Sequence, residues 1–157
     1  MMKIDQVDRR ILSTLQTDAR ITNHKLADAV SLSPSACLTR VRRLEAAGYI
    51  SSYRAVLGLE KITPYVEAFA EVTLENHSVK DFARFDKAVS AIEQITESYK
   101  ISGPYDYLLK FICVDVRAYN VLSDQLIESG VGIEKITTLI ILDNTKAFAG
   151  YPLDALL

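Results

Sequence analysis

Apolar positions in the first fifty residues recur at helical spacing. Ile4, Val7, Ile11 and Leu15 mark one helix, and Leu26, Ala27 and Val30 mark a short second one from Asn23 to Val30, with Thr22 as its cap. Cys37, Val41, Leu44 and Gly48 follow at intervals of 4, 3 and 4, the core-facing stripe of a third. Ser33 suits the N-cap of that helix, Pro34 its first position, and Gly48 its C-terminal stop. Ser31-Leu32-Ser33 leaves about three residues between the second and third helices, the spacing of a helix-turn-helix unit. Tyr49 to Leu57 is rich in β-forming residues and is expected to form a short wing.

Past Gly58–Pro64, read as a linker, the period changes to two. Val66, Ala68, Ala70, Val72 and Leu74 share one face of a strand. An amphipathic helix over Val79–Ala91, strands over Ile95–Ile101 and Tyr107–Val114, a helix over Arg117–Ser129 and a strand over Glu134–Leu142 complete the order. That order, strand-helix-strand-strand-helix-strand, is the ferredoxin-like arrangement. The fold class expected is therefore α+β: residues 1–57 a winged helix-turn-helix, 58–64 a linker, and 65–157 a ferredoxin-like sensing and oligomerisation domain. Tyr107–Val114 and Ile136–Leu142 are apolar on both faces. A sheet covered by helices on one side would then expose an apolar surface, which predicts dimerisation through that side.

Charge sharpens the division. The chain carries a net −2, but residues 1–57 hold nine basic against five acidic groups, net +4, and the remainder nine against fifteen, net −6. Only the first unit is a candidate for duplex DNA, and a single +4 unit suits work in multiples. With its stripe on the core, the third helix presents Ser33, Ser35, Ala36, Thr39, Arg40 and Arg43 for contact. Small residues permit close approach to DNA, and guanidiniums suit phosphate and guanine. Arg42 is read as a solvated or phosphate-facing charge.

Nothing in the chain points to catalysis. It has no nucleophile elbow, no phosphate-cradling glycine loop and no paired-histidine motif. Two isolated cysteines and two solitary histidines give no metal-ligand spacing, so neither metal nor cofactor is expected. No run approaches the ~18 apolar residues that span a bilayer, and Met1–Gln6 lacks a signal-peptide apolar region. With Cys37 and Cys113 read as reduced, buried hydrophobes, a cytoplasmic location without membrane partners is expected.

The strings Asp8-Arg9-Arg10-Ile11-Leu12, Leu15-Gln16, Asp18-Ala19-Arg20, Leu26-Ala27, Leu32-Ser33, Arg40 to Ile50 and Gly103 to Lys110 together resemble the Lrp/AsnC family of transcriptional regulators. The resemblance covers essentially the whole chain. It implies a sequence-specific DNA-binding regulator that dimerises, often into tetramers or octamers, and responds to an amino acid. It also implies an effector site between dimers, beside the turn at Ser102, Gly103, Pro104, Tyr105 and Asp106 and the last strand with Thr137 and Thr138. A free amino acid needs an acceptor for its ammonium, for which Asp106 is the candidate, and donors for its carboxylate, such as freed backbone N–H groups and threonine hydroxyls. Pro104 stands where many members carry an acidic residue, which removes a charge and a backbone donor.

Overall fold

The structure is a computed structural model that describes residues 3–156. Its elements run α1 (Gln6–Thr17), α2 (Asn23–Val30), α3 (Pro34–Ala46), β1 (Val66–Leu74), α4 (Val79–Ser90), β2 (Ile95–Lys100), β3 (Tyr107–Cys113), α5 (Val116–Glu128), β4 (Ile133–Ile140) and α6 (Leu153–Leu156), with one 3₁₀ turn at Leu59–Lys61. By contacts the chain forms two units. One runs to Val56 and takes back the chain from Lys146 onward; the other is Leu57–Thr145.

In the first unit local chemistry fixes the helix ends. Asp5 caps α1 and forms a reciprocal capping box with Asp8. Thr22 caps α2, Ser33 caps α3, and Pro34 opens α3 where no N–H is needed. Ser31 ends α2 in the left-handed region at φ 59°, which turns the chain sharply into α3. Gly48, at φ +76°, ends α3: its N–H donates to the Glu45 carbonyl and that of Tyr49 to the Leu44 carbonyl, a Schellman closure. Ile11, Leu26, Ala27, Val30, Cys37 and Leu44 form the buried core. Ile4 lies just before α1, outside the helix its spacing suggested.

Two expectations change here. Tyr49–Leu57 contains no β-strand; it leaves the Schellman turn as irregular chain, with Val56 and Leu57 exposed. Its β-forming residues find no neighbouring strand among the described residues, and propensity without a pairing partner does not make a strand. The C-terminal segment also departs from the assignment of 65–157 to one domain, because from Lys146 it packs with the helix-turn-helix. The Gln16 side chain clamps the Tyr151 backbone, donating through Nε2 to the carbonyl and accepting the N–H at Oε1, both at 2.9 Å. Phe148 and Tyr151 meet edge to face, and α6 packs on α1.

The second unit is a four-stranded antiparallel sheet in the order β2-β3-β1-β4, as the ferredoxin-like order requires. On one side Ala68, Ala70, Val72, Leu74, Tyr107, Leu109, Phe111 and Cys113 pack with Phe85 and Val89 of α4 and Tyr119 and Leu126 of α5. Alternation sends Glu67, Phe69, Glu71 and Thr73 to the opposite face. Register places Leu108, Lys110 and Ile112 of β3 and Thr137 and Leu139 of β4 on that face with them. The open face is therefore mixed rather than apolar throughout: Phe69, Leu108, Ile112 and Leu139 lie among Glu67, Glu71, Thr73, Lys110 and Thr137, and Lys110 Nζ lies 2.9 Å from Glu67 and 3.5 Å from Glu97.

The tail clamp makes a specific demand on Gly150, whose φ is +116° and where an added Cβ would come within 2.7 Å of the Gln16 side chain. Gly150→Ala is expected to free the tail, so that limited trypsin digestion cuts after Lys146 sooner than in the wild type. Equal cleavage rates would show that Gly150 does not seat this segment.

Candidate nucleic-acid interface and effector site

The surface of α3 is divided by a network that the sequence did not reveal. Asp8 is fully buried, the one buried charged residue among those described. Arg43 Nη2 donates to both of its carboxylate oxygens, at 2.9 and 2.7 Å, and Arg40 Nη1 donates to Oδ1 at 2.8 Å. The same Arg40 nitrogen donates to Asp5 Oδ2 at 2.6 Å. Two carboxylates face two guanidiniums, a formally neutral cluster that ties α3 to the N-terminus of α1. The carboxyl of Asp5 is held below its ordinary value by the Asp8 N–H and then by Arg40, while Arg40 is pushed up by Asp5 and then Asp8.

Arg40 and Arg43, read from the sequence as projecting with Ser35 and Thr39, are therefore turned toward α1. The exposed row of α3 is Ser35, Leu38, Thr39 and Arg42, at spacings of 3, 4 and 7 from Ser35. Ser33 and Ala36 are exposed at its N-terminal end, Ser33 also accepting the Ala36 N–H as cap. Thr39 donates its hydroxyl proton to the Ser35 carbonyl at 2.9 Å, which leaves its oxygen free to accept. The Arg42 guanidinium has no ion-pair partner among the described residues. Leu38, at helical spacing from Ser35 and Arg42, was not among the residues expected on this row, and the exposed Arg42 accords with its reading as a solvated or phosphate-facing charge.

In the second unit the expected effector residues separate. Ser102, Gly103 and Pro104 form an exposed turn. Asp106 is braced within the fold: its carboxylate accepts the Leu74 N–H at 2.8 Å and lies 3.1 Å from His77 Nε2. Its backbone N–H donates to Val72 and its carbonyl accepts from Ile101. Thr138 points to the helix side, hydroxyl to hydroxyl with Tyr119 of α5, and so is not on the same face as Thr137. Thr137 lies directly across from Glu71 on the open face. The Glu71 carboxylate is the main cause raising the hydroxyl pKa of Tyr105, which puts the two side chains close together. Tyr105, Glu71 and Thr137 thus gather at one end of the open face. Glu71, which the alternation of β1 puts on this face, was not among the residues expected at the effector site.

Burial raises the thiols of Cys37 and Cys113, the behaviour of small core residues. No group of His, Cys, Asp and Glu among the described residues is arranged to hold a metal ion. No described helix is long and apolar enough to cross a membrane.

A helix-turn-helix with an exposed reading row, followed by a ferredoxin-like sheet with one open face, defines a DNA-binding regulator with a separate ligand-binding module. Comparison with known proteins agrees in both halves. The winged helix-turn-helix DNA-binding family matches residues 4–51, and the Lrp/AsnC ligand binding domain matches residues 67–150. The chain is 39% identical over 145 residues to the transcriptional regulatory protein DoeX of Halomonas elongata, covering 92% of each. It is 38% identical over 143 residues to the leucine-responsive regulatory protein of Escherichia coli, covering 91% of this chain and 87% of that one. An AsnC family transcriptional regulator from Agrobacterium tumefaciens superposes with a TM-score of 0.90 at 31% identity, over 98% of this chain and 99% of the other. A transcriptional regulator from Neisseria meningitidis, solved as its L-Met complex, gives 0.91 at 30% identity over 99% and 100%. The chain belongs to the Lrp/AsnC family of transcriptional regulators, and it is not an enzyme.

Removing one side of a buried ion pair costs about 3–5 kcal/mol. Arg40 and Arg43 remain 28% and 45% exposed, so solvent recovers part of that. Asp8→Ala is expected to lower the unfolding free energy by about 2–3 kcal/mol in urea titration. A loss under about 0.5 kcal/mol, the scale of an ordinary surface change, would mean the carboxylate does not hold α3 to α1.

Proposed function

We propose that this regulator acts on double-stranded DNA as a dimer or larger assembly and that a free amino acid tunes its binding. Paired α3 helices enter successive major grooves of a pseudo-palindromic operator, and the row Ser35, Leu38, Thr39 and Arg42 reads base edges. That exposed row, with one unpaired guanidinium, is the observation that carries the reading. Thr39 offers an acceptor, Leu38 a surface for a thymine methyl, and Arg42 a forked donor for guanine. Ser33 and Ala36 let the start of α3 come close to the duplex. The chain is divided in function into a DNA-binding unit over 1–57, a connection over 58–64 and a sensing unit beyond, with the tail from Lys146 returned to the first. Its workplace is the cytoplasm, where the operator lies.

Self-association follows from the open face of the sheet. Phe69, Leu108, Ile112 and Leu139 there gain by burial against a second copy, and Lys110 is already neutralised by Glu67 and Glu97. Tetramers and octamers are the larger assemblies to which family resemblance points. The effector sits beside the turn at Ser102, Gly103 and Pro104. Glu71 takes its ammonium, in place of the braced Asp106, while Tyr105 and Thr137 supply hydroxyls for its carboxylate. The L-Met complex of the Neisseria meningitidis relative supports an amino acid as the class of ligand.

Two measurements test these readings. Arg42→Ala is expected to cost about 1–3 kcal/mol of operator binding and to relax preference at one base position, read by selection of bound genomic fragments followed by gel shift. Unchanged affinity and preference would remove Arg42 from the interface. For the sensor, calorimetry across the common amino acids should find at least one ligand. Losing a hydrogen bond to a charged group is worth about 1.5–3 kcal/mol, so Glu71→Gln should weaken that ligand roughly tenfold or more. Binding unaffected by Glu71→Gln would place the ammonium elsewhere, and binding of none of them would end the amino-acid reading.

A further inference from the structure

The cap of α1 carries a charge that capping does not require. Thr22 and Ser33 cap α2 and α3 with neutral hydroxyls, and asparagine or serine caps as well as aspartate. The first helix alone of these three uses a carboxylate, and its second oxygen receives Arg40 Nη1 at 2.6 Å. This contact lies at the solvent edge of the network, with Asp5 51% and Arg40 28% exposed, whereas Asp8 is 1% exposed behind it. Arg40 directly follows Thr39 and stands four residues beyond Ala36, on the flank of the helix that enters the groove.

We infer that Asp5 withholds Arg40 from DNA phosphates and thereby keeps sequence-independent binding low. The inference rests on the DNA-reading role given to α3 above. Sequence-independent affinity comes from neutralising phosphates, each contributing about −0.9 to the slope of log K against log salt. Asp8 alone supplies one negative charge for two guanidiniums; Asp5 supplies the second and makes the cluster neutral. With Asp5 present, Arg42 is the one α3 guanidinium without an acidic partner among the described residues, and Ser35, Leu38 and Thr39 beside it carry no charge with which to neutralise a phosphate. Without it, one unit of positive charge is released at the rim of the reading helix. Assembly of several copies restores operator affinity without unmasking more charge, because linked sites bind at high effective concentration.

The test uses the full-length protein and a random-sequence duplex, titrated between 50 and 200 mM salt. Asp5→Asn keeps an acceptor for the Asp8 N–H, so the cap survives; equal melting temperatures in urea-free buffer verify that the variant is folded. The variant should bind the duplex more tightly than wild type, with the slope steeper by about 0.9 per engaged subunit, so that its advantage is larger at 50 mM than at 200 mM salt by roughly three- to four-fold for one engaged subunit and about twelve-fold for two. In an Arg40→Gln background the same Asp5→Asn change should steepen nothing. Wild type and Asp5→Asn binding with one common slope would overturn the inference while leaving the DNA reading intact. Equal steepening with and without Arg40 would also overturn it, since the gain would then be general repulsion. No duplex binding by any of the four proteins at 50 mM salt would overturn both.

Discussion

A carboxylate removed from water between two helices must find cations, and around Asp8 those cations are the guanidiniums of α3. The consequence for function is geometric. An α-helix has one face for its core and the rest for everything else, and here two of its three arginines are committed to holding it against α1. The helix is thereby fixed both in position and about its own axis. What remains outward is a narrow row of small, hydroxylated and apolar side chains ending in Arg42. On the reading proposed above, such a helix would rely on shape and hydrogen bonding at the bases more than on attraction to the backbone, a balance that suits engagement of more than one copy.

The sheet supplies the second constraint. Two helices packed on one side satisfy half of each strand and leave the other half unpartnered. Polar residues would make that half a surface; Phe69, Leu108, Ile112 and Leu139 make it an adhesive one, with Lys110 pinned between two glutamates so that the charge does not oppose contact. At one end of the same face Glu71, Tyr105 and Thr137 converge on the turn at 102–104. On the reading proposed above, ligand recognition and self-association would use adjoining parts of one surface, an arrangement in which occupancy of the first biases the second.

Much of this architecture was readable in the chain. The caps at Thr22 and Ser33, the proline at 34 and the glycine stop at 48 act within a turn of themselves, so sequence suffices to place them. The alternation of β1 predicted which of its residues share a face, because period two has one solution once a face is chosen; β3, read as apolar on both faces, had its buried side decided by pairing. Reading failed where the outcome depended on a partner distant in sequence. The Tyr49–Leu57 segment had the composition of a strand and no strand beside it. The tail from Lys146 was assigned to the nearer unit in sequence, although Gln16, 135 residues away, is what seats it. Asp106 was expected to face an ammonium, and its hold on the Leu74 N–H, 32 residues away, had no local mark either.

The amino-acid sequence by itself determined the order of elements and the division into a basic unit and an acidic sheet unit, since periodicity, capping and charge are all local sums; the family showed through the residue strings it shares. Tertiary structure decided which charges are free. Arg40, Arg42 and Arg43 are the same residue type within four positions, and no local rule separates them. The buried carboxylate of Asp8 selects two of them because electrostatic attraction acts through space, and space is set by how α1 crosses α3 rather than by distance along the chain.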